Sequence, residues 1–164
     1  MDTRWTPNVT VAAIIERDGR CLLIEEETLE GLRLNNPAGH LDPAESPVQA
    51  CAREALEETT HLFTPTHLLG VYVSRFQRDS TGEDITYLRL AFCGELGAAQ
   101  PGRQLDTGIV RTVWMTPEEV RASRERHRSP LVLRCIEDHL AGQRHPLGLI
   151  YTDAAVAGLG ALRA

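Results

Sequence analysis

Long apolar runs are missing from this 164-residue chain. No stretch approaches the roughly 20 apolar residues of a membrane span. The N-terminus, MDTRWTPN, carries no apolar segment of the signal-peptide kind. A cytoplasmic protein with no membrane partner is therefore expected. Aromatic residues make up only 5% of the chain, so platforms for stacking a base are few: Trp5, Phe76, Tyr87 and Tyr151. An excess of positive charge is also absent. The net charge of −6 disfavours binding to nucleic acid or to an anionic membrane. The cysteines, Cys21, Cys51, Cys93 and Cys135, form no C-x-x-C pair and no metal-binding spacing. Each sits among apolar neighbours, which predicts buried free thiols in a reducing compartment. There is no internal repeat. At this length one domain with a substantial core is expected over residues 1–164, with a small-residue tail from Gln143 to Ala164.

What the chain does hold is concentrated between Gly39 and Thr60, in GHLDPAESPVQACAREALEETT. Ser46 is a helix cap, Pro47 suits the first helical position, and Gln49 completes a capping-box pattern. Val48, Cys51, Ala52, Ala55 and Leu56 recur at helical spacing as an apolar stripe. Arg53, Glu54, Glu57 and Glu58 occupy the other face. Glu54 with Glu57, and Glu54 with Glu58, are like-charge pairs that each destabilise an isolated helix by roughly 0.2–0.5 kcal/mol. Arg53, four residues before Glu57, offsets part of this. Carboxylates gathered at such a cost suit a hard divalent cation, which takes oxygen ligands. Gly39 and Glu45 can add a backbone carbonyl and a further carboxylate. An acidic protein acting on an anionic phosphate also needs a metal between the two. A solvated acidic face is the plainer explanation, and the spacing argues against it. Gly39, Glu45, Arg53, Glu54, Glu57 and Glu58 fit G-x5-E-x7-R-E-x-x-E-E without a gap, and six such matches arise by chance on the order of once in 10⁷–10⁸ placements.

This stretch resembles the Nudix box, the signature of the Nudix hydrolases. The resemblance implies an α/β/α sandwich with a mixed sheet between helices. It also implies hydrolysis of phosphoanhydride bonds in small-molecule substrates, with Mg²⁺ or Mn²⁺. By resemblance, Gly39, Glu57 and Glu58 hold the metal and Arg53 orients Glu57. Glu54 either completes the metal site or serves as base toward the attacking water. Glu95, after the central strand, is the candidate distal ligand, and Asp106 is a weaker one. Many family members carry an acid six residues before the tryptophan that corresponds to Trp114; that position is Gly108 here. The family's helix-ending glycine is replaced by Thr60. A β-branched residue adopts the left-handed conformation poorly, so a reshaped helix end is expected. A narrower resemblance, to the bacterial NudJ-type phosphatases, rests on VTVAAII, PAGHLDP, SPLVLRCI and GQRHPL. It implies nucleoside di- and triphosphates or thiamine-pathway diphosphates as substrates.

Elsewhere, Val9–Ile15 and Cys21–Glu25 read as a hairpin about the turn Arg17–Arg20. Glu25, Glu26 and Glu27 read as a solvated acidic run, and Thr28–Asn36 as a loop hinged at Gly31. Arg33, in that loop, is a candidate phosphate contact, and His40 and Glu45 are candidate substrate contacts. His67–Phe76 and Ile85–Leu96 read as strands. The second is apolar on both faces and therefore central, with Arg89 a candidate phosphate ligand. A strand at Arg111–Met115, a short helix capped by Thr116 and a final helix after Ser129, stopped by Gly142, complete the pattern. The sequence leaves monomer and homodimer open. A Nudix-fold sensor without catalysis and a scaffolding domain are the competing functions. The four intact glutamates of the box argue against both.

Overall fold

The computed structural model describes residues 4–158. Its strands are β1 (Asn8–Ile14), β2 (Glu16–Arg17), β3 (Arg20–Thr28), β4 (Gly31–Asn35), β5 (Ala38–His40), β6 (His61–Arg78), β7 (Glu83–Ala99), β8 (Ile109–Met115) and β9 (His145–Pro146). Its helices are α1 (Pro47–Thr59), α2 (Pro117–Ala122), α3 (Leu131–Leu140) and α4 (Ala154–Gly158). The larger sheet runs β5-β1-β7-β6-β9, with β1 and β7 parallel and its other pairs antiparallel. A second sheet joins β2, β3, β4 and β8.

Side chains alternate across a strand, so adjacent residues of β1 and β7 serve opposite faces. Ala12, Ile14 and Ala91 pack with Val132, Cys135 and Ile136 of α3. Val11, Ala13 and Phe92 pack with Ala50, Cys51 and Ala55 of α1. The mixed sheet is thus covered by a helix on each side, as expected. The small sheet feeds both cores, through Leu23 on one side and Leu22 on the other.

Several local expectations are corrected. β1 does not pair with the strand after it. Because both its faces are apolar, it is drawn inside the larger sheet, between β5 and β7, and the return against β3 is limited to Glu16 and Arg17 opposite Cys21 and Arg20 and the Leu22 N–H donating to the Ile15 carbonyl. Thr28–Asn36 is not a loop. Leu32 and Leu34 alternate in β4, which pairs with β3 from Ile24↔Asn35 to Thr28↔Gly31. Gly31, at φ 95°, closes the tight turn rather than acting as a hinge. The acidic run is likewise inside β3. Glu25 is buried and paired with Arg111 and Arg126, which hold its carboxyl below the ordinary range. Part of the tail packs on the domain: β9 pairs with β6, and Leu147 and Ile150 lie on the α1-side core. Residues 159–164 of that tail lie outside the described residues.

The end of α1 is not reshaped. Thr60 itself takes the left-handed conformation, at φ 64° and ψ 1°, and its N–H donates to the Leu56 carbonyl. A left-handed L-residue costs about 1–2 kcal/mol, partly recovered against the entropy that glycine loses on folding. Thr60→Gly is therefore expected to raise stability by about 0.5–1 kcal/mol, measured as an upward shift of the urea midpoint with an unchanged slope.

Candidate active site

The capping box at the start of α1 is formed as the sequence predicts, with Ser46 and Gln49 bonding reciprocally. The buried stripe differs in detail. Ala50, Cys51 and Ala55 are fully buried, while Ala52 and Leu56 are half-exposed. The difference arises because the helix also leans on the short edge strand β5, along the line Ala50, Glu54, Glu58. A Cβ on Gly39 would stand 2.1 Å from the carboxyl carbon of Glu54, so only glycine admits that carboxylate to the strand. One turn on, Glu58 accepts the Ala38 N–H at 2.8 Å and is only 7% exposed.

Arg53 gathers the remaining acids. It donates to both oxygens of Glu45, at 3.0 and 2.7 Å, to Glu54 Oε1 at 2.8 Å, to Glu57 Oε2 at 3.0 Å and to the His40 carbonyl at 3.0 Å. Its bond to Glu45, above all, raises its own pKa. Burial works to raise the pKa of Glu45, but the bonds from Arg53 and the Asp42 N–H outweigh it and leave that carboxyl below the ordinary range. Glu45 therefore anchors Arg53, with both its oxygens engaged by that guanidinium.

Glu54 and Glu58 lie at the other extreme. Burial raises Glu54, and Arg53 only partly counters it. Burial pushes Glu58 up to about 8; the Ala38 N–H opposes this, while Glu54, Glu26 and Asp106 add to it. Two carboxyls with raised pKa thus lie one turn apart on one helical ridge, against Gly39 and Ala38 of β5, with two further acids acting on Glu58.

Beside this cluster opens a cavity of about 690 Å³, reaching it at Ala38, Gly39, His40 and Glu26. The cavity lies between the α3-side face of β6 and β7, the β3–β4 hairpin and the start of α3. His40 and Arg89, both candidate substrate contacts, line it, and His40 lies tilted against Tyr87 with ring centroids 6.5 Å apart. Arg33 does not line it. Its guanidinium donates to the Glu125 carbonyl and pairs with Glu30.

Glu95 is not brought to the cluster either. Gly39 is level with Val11 and Leu90 across the sheet, whereas Glu95 pairs with Thr64. That places it roughly 16 Å further along the strand, and exposed. Asp106, the weaker candidate, is the acid that arrives: its N–H donates to the Glu57 carbonyl at 2.9 Å, and its charge acts on Glu58. Glu26 escaped the sequence reading. In a strand, Glu25 and Glu26 must point to opposite sides: Glu25 meets Arg111 and Arg126, while Glu26 turns to the cavity, bonded by Asn35 and paired with Arg128.

The NUDIX domain family model matches residues 4–135. The chain belongs to the Nudix family. It is 37% identical over 147 residues to phosphatase NudJ of Escherichia coli, a match spanning 89% of this chain and 92% of that protein. A solved NUDIX hydrolase from Nitrosomonas europaea is 50% identical, with a TM-score of 0.82 over 90% of this chain and 98% of that one. A MutT protein from Methanosarcina mazei Go1, 21% identical, shares the fold at a TM-score of 0.63, covering 87% of this chain and 100% of that one. This Nudix chain is a hydrolase acting on phosphoanhydride bonds.

Nudix hydrolases use divalent metal ions, and the residues of this box fit one. Glu58 is a buried carboxylate whose neighbours are acids, with a single N–H bond and no ion pair among the described residues. All the nearby donors are hard oxygens, the ligand type of Mg²⁺ and Mn²⁺. With Glu54 and Glu57 turned toward Arg53, no three His, Cys, Asp or Glu side chains among the described residues already stand as a ligand set. Gly39→Ala tests the close approach. The atoms nearest the added methyl are the carboxyl end of the Glu54 side chain, which can swing aside, so the melting temperature is expected to stay within about 2 °C. Hydrolysis is expected to fall about 100-fold, because a displacement of about 1 Å at such a site has that cost.

Proposed function

We propose that the chain is a Mg²⁺- or Mn²⁺-dependent hydrolase of nucleoside di- and triphosphates or of thiamine-pathway diphosphates. The observation that carries this reading is the pair of half-buried Glu54 against Gly39 and buried Glu58 against Ala38, at the edge of an arginine-lined cavity of about 690 Å³. That volume suits a nucleotide-sized ligand. Glu57, Glu58 and the Gly39 carbonyl are the proposed ligands of the ion, with Glu54 either completing the set or accepting the proton of the attacking water. When bound, the ion polarises phosphoryl oxygens and lowers the pKa of coordinated water. Arg53 keeps Glu54 and Glu57 oriented and is itself fixed by Glu45. Asp106 replaces Glu95 as the proposed distal acid. The raised pKa of Glu54, caused by burial, is in the direction a proton acceptor needs.

The name phosphatase, borne by the Escherichia coli relative, supports inorganic phosphate rather than pyrophosphate as the released product. The cysteines are all free and buried, and no described helix is long and apolar enough to cross a membrane; we place the enzyme in the cytoplasm. The test is a panel of ADP, GTP and thiamine diphosphate with Mg²⁺, scored separately for phosphate and pyrophosphate. Phosphate release from at least one is expected. Failure of every diphosphate and triphosphate, with the metal present, would leave a binding role in its place.

A further inference from the structure

Four arginines line the cavity: Arg75, Arg78, Arg89 and Arg128. Three are neutralised. Arg75 pairs with Asp84, Arg78 with Glu30 and Glu83, and Arg128 with Glu26. Arg89 alone has no carboxylate partner among the described residues, although it is the most buried of the four, at 7% exposure. Its Nη1 donates to Asn36 Oδ1 at a long 3.3 Å, and its Nε is buried without a partner. Beneath it are the Cys135 thiol and Tyr72. The acid on that side, Asp138, is already held by Tyr72 and Arg134. A buried guanidinium without an anion costs several kcal/mol and is retained where something else supplies the charge. The N-terminus of α3, at Ser129–Leu131, faces the same cavity and adds the positive end of its dipole.

The register gives the direction in which a ligand must lie. His40, Thr10 and Arg89 are level on adjacent strands, so Arg89 is about 10 Å across the sheet from the strand that carries Gly39. Tyr87 and Ile85 follow Arg89 on the same face of β7, and Phe76 stands opposite Ile85 on β6. All three line the cavity toward the tips of the hairpins.

We propose that Arg89 is the anion-binding residue of the cavity, holding a phosphate of the substrate while its planar organic part lies outward on Tyr87, Ile85 and Phe76. This deepens the function proposed above and rests on it. The substrate class is then a small organic diphosphate or triphosphate with a flat ring, entering phosphate first.

Steady-state kinetics with ADP and inhibition by inorganic pyrophosphate test it, on the wild-type protein and on Arg89→Met, Arg89→Lys and Phe76→Ala. Arg89→Met is expected to raise the KM for ADP and the inhibition constant for pyrophosphate about 30–100-fold. Its melting temperature is expected to stay level or rise, because a buried unpaired charge is gone. Arg89→Lys keeps charge and bulk but loses the planar fork, and should recover only part of the affinity. Phe76→Ala should weaken ADP about tenfold and leave pyrophosphate unchanged. Wild-type KM in Arg89→Lys or Arg89→Met overturns the proposal. So does a lowered melting temperature with unaltered KM, which marks Arg89 as a packing residue. Wild-type protein inert toward ADP, GTP and thiamine diphosphate alike would instead reject the proposed reaction, leaving pyrophosphate binding to judge Arg89 separately.

Discussion

Glu58→Gln is expected to lower kcat by about 10³-fold while the protein remains folded. Glutamine keeps the size of the side chain and an oxygen to accept the Ala38 N–H. What it removes is the negative charge in the most buried position of the acidic ridge, where electrostatic effects are largest. The same substitution should alter the response to pH in chelator-treated protein. In the fold, the Glu58 carboxyl holds its proton to about pH 8, against an ordinary 4.5. Between those values the folded state binds more protons than the unfolded one, so stability is present below about pH 4.5 and is lost as pH rises to about 8. A melting curve taken across that window without metal should therefore slope downward, and Glu58→Gln should flatten it. Saturating Mg²⁺ should reverse part of the loss, because a metal displaces the proton and binds the folded state alone. A downward slope that Glu58→Gln leaves untouched would assign the titration to another group.

Arg53→Ala is the second large effect, and here stability and activity should fall together. The guanidinium serves Glu45, Glu54, Glu57 and the His40 carbonyl at once. Its removal strands the side chains of Glu45 and Glu54, which are only 15% and 13% exposed. Breaking a buried pair costs about 3–5 kcal/mol. Arg53 is 28% exposed, and solvent screening brings the expected loss to roughly 2–3 kcal/mol. For a domain of this size that is about 5–10 °C in Tm. Activity should fall about 100-fold, because Glu54 and Glu57 lose their orientation. Glu45→Gln should reproduce the fall in activity more weakly, since it loosens Arg53 without removing it. Full activity in Arg53→Ala would show that the acids hold their places without it.

The helix of the Nudix box was legible because everything that defines it is contiguous. The cap, the apolar stripe and the ridge Glu54, Glu57, Glu58 lie within one continuous stretch, and helical spacing alone brings them together. Arg89 stands out in the sequence for a related reason, as a charge in the middle of a doubly apolar strand, and the role given to it is the one proposed above. The misses share a different cause. Glu25, Glu26 and Glu27 hide a strand because identical neighbours conceal an alternation of period two. Leu32 and Leu34 give β4 too short a pattern to stand out from its polar flanks. Thr60 shows tertiary structure overriding propensity: the continuation into β6 and the Gln100 bond to the Thr60 carbonyl hold it in the left-handed conformation. The exchange of Glu95 for Asp106 has the least local cause. Which acid meets Glu58 depends on how the loop before β8 folds back onto the end of α1, and that contact is made by the backbone of Asp106.

The central claim is that the acidic ridge of α1 exists to hold a divalent ion for phosphoanhydride cleavage. Phosphate release from the preferred diphosphate, followed while Mg²⁺ is titrated into metal-stripped enzyme, tests it most directly. Release should be absent at the start and rise to saturation, and Glu58→Gln should demand far more metal or never respond. Undiminished turnover in excess chelator would contradict it.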